Sequence, residues 1–198
     1  MRADVSARTW AFPVAFAAAL AFAPLTPAAA QTPACSFRGA PSALHERPSP
    51  LDSVLVSLGA GQAKLCYGRP VAGGIARVGS EFPFGAPWQL GANEPTTLHL
   101  SFPARVGSVD LGPGSYSLYA IPEAGDWTIV VNGNPNRWGM PIGPDVRAAD
   151  IGSFRAPAER GRPFVERLTF SFEPQGPDSG SLVYTWEDVR LAIPLGRR

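Results

Sequence analysis

The chain has 198 residues, 17 of them Lys or Arg and 16 Asp or Glu, for a formal net charge of +1 at neutral pH. That length suits one domain rather than two, and the near-neutral balance gives no electrostatic basis for a nucleic-acid or anionic-membrane partner. Although 21 Gly and 22 Pro make the chain rich in backbone breakers, 5 Trp, 4 Tyr and 11 Phe supply the apolar surface of a packed core.

Residues 1–30 read as an export signal. Arg2 and Arg8 form a basic start, Trp10 to Leu25 an apolar run, and Ala28-Ala29-Ala30 a small-residue cleavage site. Pro13 and Pro24 interrupt the run, which is short for a membrane span. Cleavage near Ala30 therefore predicts a periplasmic or extracellular protein with no membrane insertion, a retained anchor being the alternative. Residues 31–50 are polar, Pro-rich and aperiodic, and predict an extended N-terminal arm. Cys35 in that arm and Cys66 beyond it are expected to form a disulfide outside the cytoplasm. It would tie the arm to a strand at Ala63–Tyr67 and contribute about 3–4 kcal/mol on the chain-entropy model. Free thiols, or a lipid on Cys35, are the other readings.

From Leu51 the hydrophobic period is two. Val54, Val56 and Leu58 alternate with Ser53 and Ser57; Leu98, Leu100 and Phe102 with Thr97, His99 and Ser101; Leu168, Phe170 and Phe172 with Thr169, Ser171 and Glu173. Such runs are half-buried strands. Further strands are predicted at Ala63–Tyr67, Arg105–Leu111, Ser115–Ile121, Trp127–Asn132, Ile151–Ala156, Leu182–Trp186 and Val189–Leu195. Turn clusters separate them, among them Gly112-Pro113-Gly114 and Asn132-Gly133-Asn134-Pro135-Asn136. Only Pro144 to Ala149 predicts a turn or two of helix. The expected fold is all-β: a single antiparallel β-sandwich over residues 51–196, jelly-roll-like or immunoglobulin-like, of about nine or ten short strands. Two irregular stretches, Gly68 to Pro87 and Asn132 to Asp145, are where a site is expected.

No catalytic signature stands out. There is no Gly-x-Ser-x-Gly elbow, and the one lysine, Lys64, has Gly61 three positions before it instead of a serine. His99 has the pKa of a general base, but on the polar face of a strand it is expected to be solvated. The two histidines form no metal-binding pattern, so no metal and no cofactor are implied. Glu94, Asp126, Glu166, Glu187 and Asp188 are the carboxylates from which an acid/base pair could be drawn. Glu166 shares an apolar row with Leu168 and Phe170 and is expected to find an Arg partner. Trp88, Trp127, Trp138 and Trp186 could form a stacking platform for a sugar or another flat ligand, or serve as core. Trp88 and Trp138 lie in or beside the irregular stretches and are the stronger ligand candidates.

The stretch Pro83-Phe84-Gly85-Ala86-Pro87-Trp88-Gln89-Leu90-Gly91-Ala92-Asn93-Glu94-Pro95-Thr96 is distinctive. So are Tyr67-Gly68-Arg69-Pro70, Gly114-Ser115-Tyr116-Ser117-Leu118-Tyr119-Ala120-Ile121-Pro122 and Trp138-Gly139. In this order they resemble the bacterial domain-of-unknown-function family 2911, mostly exported proteins, over about residues 49–195. The resemblance implies no established activity. The chain keeps the family's Tyr67, Arg69, Pro70, Gly73, Trp88, Gly91, Ala92, Asn93, Glu94 and Thr96. It departs at Gly74 and Gln89, where the family tends to carry Arg, with Arg77 as a nearby substitute.

These residues predict an exported binding or accessory module with a polar-aromatic pocket for a small molecule or glycan. Tyr67, Arg69, Trp88, Asn93 and Glu94 are the expected lining, with Asn132 and Trp138 further out. The alternatives are a hydrolase using Glu94 as general acid or base, and a structural envelope protein. In the structural reading Arg69 pairs with Glu94 and Asn93 caps a turn.

Overall fold

The computed structural model describes residues 34–44 and 46–198, together with Met1. The export signal expected over residues 1–30, and His45, lie outside the described residues. Each predicted period-two run becomes a strand. In chain order these are β1 (Leu51–Leu58), β2 (Gly61–Gly68), β3 (Thr96–Leu100), β4 (Ala104–Val106), β5 (Val109–Leu111), β6 (Gly114–Ile121) and β7 (Trp127–Asn132). After α1 (Pro144–Arg147), a single helical turn, come β8 (Asp150–Ala156), β9 (Ala158–Glu159), β10 (Val165–Pro174), β11 (Ser179–Glu187) and β12 (Val189–Arg197). The described residues thus hold twelve strands, more than the nine or ten expected. One reason is Arg105–Leu111, which is two strands. Gly107 turns the chain at φ 57°, and Val106 pairs with Val109 in a hairpin. Another is β9, whose two residues are too few to show alternation. The arm carries a 3₁₀ turn at Pro41–Leu44 and is not extended throughout.

The strands form two antiparallel sheets that pack together as a β-sandwich. The first has the order β1-β2-β3-β6-β7-β8. The second runs β10-β11-β12-β4-β5, with β9 also paired to β12. Their inner faces make one core, with Leu65, Leu98, Leu118 and Ile129 from the first sheet and Leu168, Leu182, Tyr184, Leu191 and Ile193 from the second. Trp88, Trp127, Trp186, Phe82 and Tyr184 fill one part of it as an aromatic cluster.

The outer face of the first sheet is also covered. Tyr119 and Val130, which alternation turns away from the main core, pack with Ile142 of the loop after β7. The arm crosses the same face, pinned by the Cys35–Cys66 disulfide with Cα atoms 5.6 Å apart. As a result β3 is buried on both faces. His99, expected to be solvated, is only 5% exposed.

Candidate functional site

The two marked segments, Tyr67–Pro70 and Gly91–Glu94, do meet. A Cβ on Gly68 would lie 2.1 Å from the carbonyl oxygen of Ala92, so only glycine allows this approach. The side chains then fan apart instead of converging. Tyr67 points inward, stacked edge-on against Phe170 with ring centroids 4.9 Å apart. Its hydroxyl accepts a hydrogen bond from the Phe170 amide at 3.0 Å, and burial pushes its pKa up. Trp88 is a core residue, stacked on Phe82 at 4.8 Å and on Trp186 at 5.5 Å. Its backbone pairs with Ala120 of β6, which turns the indole inward and leaves no face for a ligand. Trp127 and Trp186 are buried in the same cluster.

Arg69 and Glu94 do not pair. Arg69 reaches across to the second sheet, donating to the Leu168 carbonyl and the Thr169 hydroxyl at 3.0 Å each. Its ion-pair partner is Asp52, 3.1 Å away, which lies opposite Tyr67 in the β1–β2 register. Glu94 faces the other way, toward the arm. Arg47 Nη1 donates to its Oε2 at 2.7 Å and to Oε1 at 3.0 Å, and the Arg38 amide donates to Oε1 at 2.6 Å. The Glu94 residue is 6% exposed and both its carboxylate oxygens hold the arm in place. Asn93 between them adopts a left-handed backbone at φ 65°, a conformation Asn tolerates better than most residues. Its side-chain amide donates to the Ser49 carbonyl at 3.1 Å, and its own carbonyl accepts from the Gly139 amide at 2.9 Å.

Asn132 belongs to a row set by strand register: Cys66, Thr97, Ser117, Asn132 and Asp150 stand side by side on the outer face of the first sheet. Asn132 Nδ2 donates to Asp150 Oδ1 at 2.8 Å and to the Val146 carbonyl at 2.7 Å, while its Oδ1 accepts from the Asn134 amide at 2.9 Å. Tyr119 donates to Asp150 Oδ2 at 2.7 Å. This network fixes the loop after β7 over the sheet. One row along, His99 Nδ1 lies 2.8 Å from Ser115 Oγ and Nε2 lies 3.2 Å from Thr97 Oγ1. Burial lowers the His99 pKa, with Lys64 adding to the effect.

Among the described residues Glu166 has no Arg partner. An irregularity in the β10–β11 register exposes it, and its oxygens accept the amides of Gly73 at 2.6 Å and Gly74 at 3.1 Å. Glu187 likewise accepts the amides of Arg77 at 2.6 Å and Val78 at 3.2 Å, and burial raises its pKa. These two carboxylates anchor the irregular stretch after β2. Trp138 is 46% exposed, the one ring of the expected platform that faces solvent.

What converges is a different set. A narrow crevice of about 90 Å³ lies between the arm and the outer face of the first sheet. Glu94 and Thr97 line it from the sheet side, Phe37 and Arg38 from the arm, and Asn136 and Arg137 from the loop after β7. Sequence reasoning missed Arg137. It sits between a breaker cluster and Trp138-Gly139, where an arginine reads as a solvated loop residue. Among the described residues, no cluster of three or more His, Cys, Asp or Glu side chains could hold a metal. No helix among them is long and apolar enough to cross a membrane.

These features define a disulfide-pinned antiparallel β-sandwich whose marked loop residues mostly anchor the arm and loops. The chain belongs to the family described as protein of unknown function (DUF2911), whose model matches residues 49–195. Glu94, Cys66 and Arg137 fall inside the match, whereas Cys35, Arg38 and Arg47 of the arm precede it. No curated protein and no solved structure matches the chain.

Proposed function

We propose that the protein is an exported binding module and that the crevice under the arm receives the polar end of its ligand. The observation that carries this reading is the convergence of Glu94, Thr97, Asn136 and Arg137, from two separate segments, on one cavity beneath a third, the arm. Export is supported by the basic-apolar-small pattern of residues 1–30 and by the disulfide, which persists in oxidising compartments. At about 90 Å³ the crevice is smaller than the ~150 Å³ that encloses a benzene ring. It suits a head group, with the rest of the ligand lying outside it; Trp138, next to Arg137 in the chain, offers an exposed ring. Binding is favoured over hydrolysis because both Glu94 oxygens are committed to the arm.

The test is amide NMR on the disulfide-bonded protein with a panel of sugar acids, neutral sugars and short dicarboxylates. Saturable shifts at Ser36, Arg38, Glu94, Thr97 and Arg137, with each compound recovered unchanged, support the module. Shifts confined to other surfaces, or turnover lost in Glu94→Gln, would replace it with another site or with the hydrolase.

A further inference from the structure

Arg137 is 8% exposed, yet two of its three guanidinium nitrogens have no acceptor among the described residues. Nη1 donates to the carbonyls of Trp138 at 2.9 Å and Gly139 at 2.7 Å, which holds the guanidinium in place. Nε and Nη2 are buried and unpartnered. Those two N–H groups share one edge of the guanidinium, the edge that meets an oxyanion with two parallel hydrogen bonds. Empty donors on a buried cation are costly, so an acceptor from outside the chain is the expected complement.

The neighbouring carboxylates do not fill this role. Burial lowers the Arg137 pKa, opposed in part by Tyr119 and Asp150, but the Asp150 oxygens receive Tyr119 and Asn132. Glu94 is taken by Arg47 and the Arg38 amide. Gln89 Oε1 packs against Gly139 and is itself unpartnered, so it does not serve Arg137 either. Around the crevice Arg38, Arg47 and Arg137 outnumber Glu94, which leaves an excess of positive charge.

We propose that the Nε/Nη2 edge of Arg137 is the recognition element of the crevice, and that the head group it takes is an oxyanion presenting two oxygens, a carboxylate or a phosphate. This rests on the binding reading above and names its ligand class. A neutral hydroxyl or carbonyl could accept from the edge but would not match its charge.

The experiment follows the side-chain Nε–Hε resonance of Arg137 in the full disulfide-bonded protein, assigned by its loss in Arg137→Lys. Sodium acetate and sodium phosphate are titrated separately against sodium chloride at equal ionic strength. The proposal expects a saturable downfield shift with acetate, phosphate or both, the stronger response naming the head group. It also expects the anion-induced rise in Tm to need roughly tenfold more anion in Arg137→Lys, which keeps the charge and loses the paired donors. A resonance that responds equally to chloride, or to none of the salts, overturns the proposal and leaves water as the acceptor. Amide shifts at Arg38 and Thr97 with a stationary Arg137 Nε–Hε also overturn it, while leaving the binding module standing. The module itself falls only if the wider panel leaves the crevice unmoved. If Arg137→Lys does not fold, the resonance is assigned through side-chain correlations to the Arg137 backbone amide, and the wild-type titration still decides the matter.

Discussion

Glu94 is the residue on which the arm turns. Its side chain and that of Arg47 are 8% and 15% exposed, so neither charge is well solvated alone. Removing one partner of such a pair strands the other, a cost larger than the pair's own net worth. Glu94→Gln retains an acceptor for the Arg38 amide and loses the charge facing Arg47. We expect a loss of about 1–3 kcal/mol. Thermal unfolding under oxidising conditions should show it as several degrees, at roughly 2–4 °C per kcal/mol for a domain of this size. An unchanged Tm would mean that the carboxylate contributes nothing to the arm's seat and is free for a ligand.

His99 gives a pH dependence of defined sign. Burial, with help from Lys64, depresses its pKa below the ordinary 6.5. Between the two values the unfolded chain binds more protons than the folded one, so stability rises with pH there. The contribution is complete above about 6.5 and is lost as pH falls through the folded pKa. Tm measured between pH 5 and 7 should climb with pH, and His99→Gln should flatten that climb. Glu187 works in the opposite direction, since its raised pKa makes the carboxyl destabilising as pH rises above 4.5. The difference between variant and wild type isolates the histidine.

At the scale of elements, the arm acts as a covalent clasp with a noncovalent catch. The disulfide closes a sequence separation of 31 residues, worth about 3–4 kcal/mol on the chain-entropy model. Cys35→Ser should therefore lower Tm by roughly 6–15 °C. Because the disulfide and the Glu94–Arg47 pair hold one segment, combining Cys35→Ser with Glu94→Gln should cost less than the sum of the two, a coupling that a double-mutant cycle on Tm or denaturant midpoint reads directly. Strict additivity would show that the arm is not a single cooperative unit.

The strands themselves were legible because burying one face and leaving the other polar writes a period of two into β1, β3 and β10. Arg105–Leu111 misled because Val106, Val109 and Leu111 are apolar on both sides of a turn that only the positive φ of Gly107 betrays. The covering of the outer face was not legible. Nothing local distinguishes Ser117, Asn132 and Tyr119 under a loop from the same residues facing water. Nor does sequence choose among many arginines for Glu94, whose partner Arg47 is 47 residues away while Arg69 is nearer.

Across the whole molecule, a two-sheet sandwich sorts aromatic residues by which side of the sheet their segment meets. Trp88, Trp127 and Trp186 lie between the sheets, while Trp138 rides on the loop that covers the outer face. The sequence shows the rings and the irregular segments, but which layer each segment joins depends on pairings such as Trp88 with Ala120. A site in this fold therefore cannot use the large rings of the core, and the proposed one forms at the seam where arm and loop close over the sheet. That separation predicts opposite behaviour for the two tryptophans first grouped as ligand walls. Trp88→Ala removes a fully packed ring and should cost about 3–5 kcal/mol, a Tm loss near 10 °C or more whether or not a ligand is present. Trp138→Ala retains the backbone carbonyl that receives Arg137 and removes only an exposed ring, so Tm should move by no more than about 0.5 kcal/mol equivalent. Its effect should appear only in affinity for ligands that extend beyond the crevice. A large Tm loss in Trp138→Ala, or an intact fold in Trp88→Ala, would reverse the assignment of core and seam.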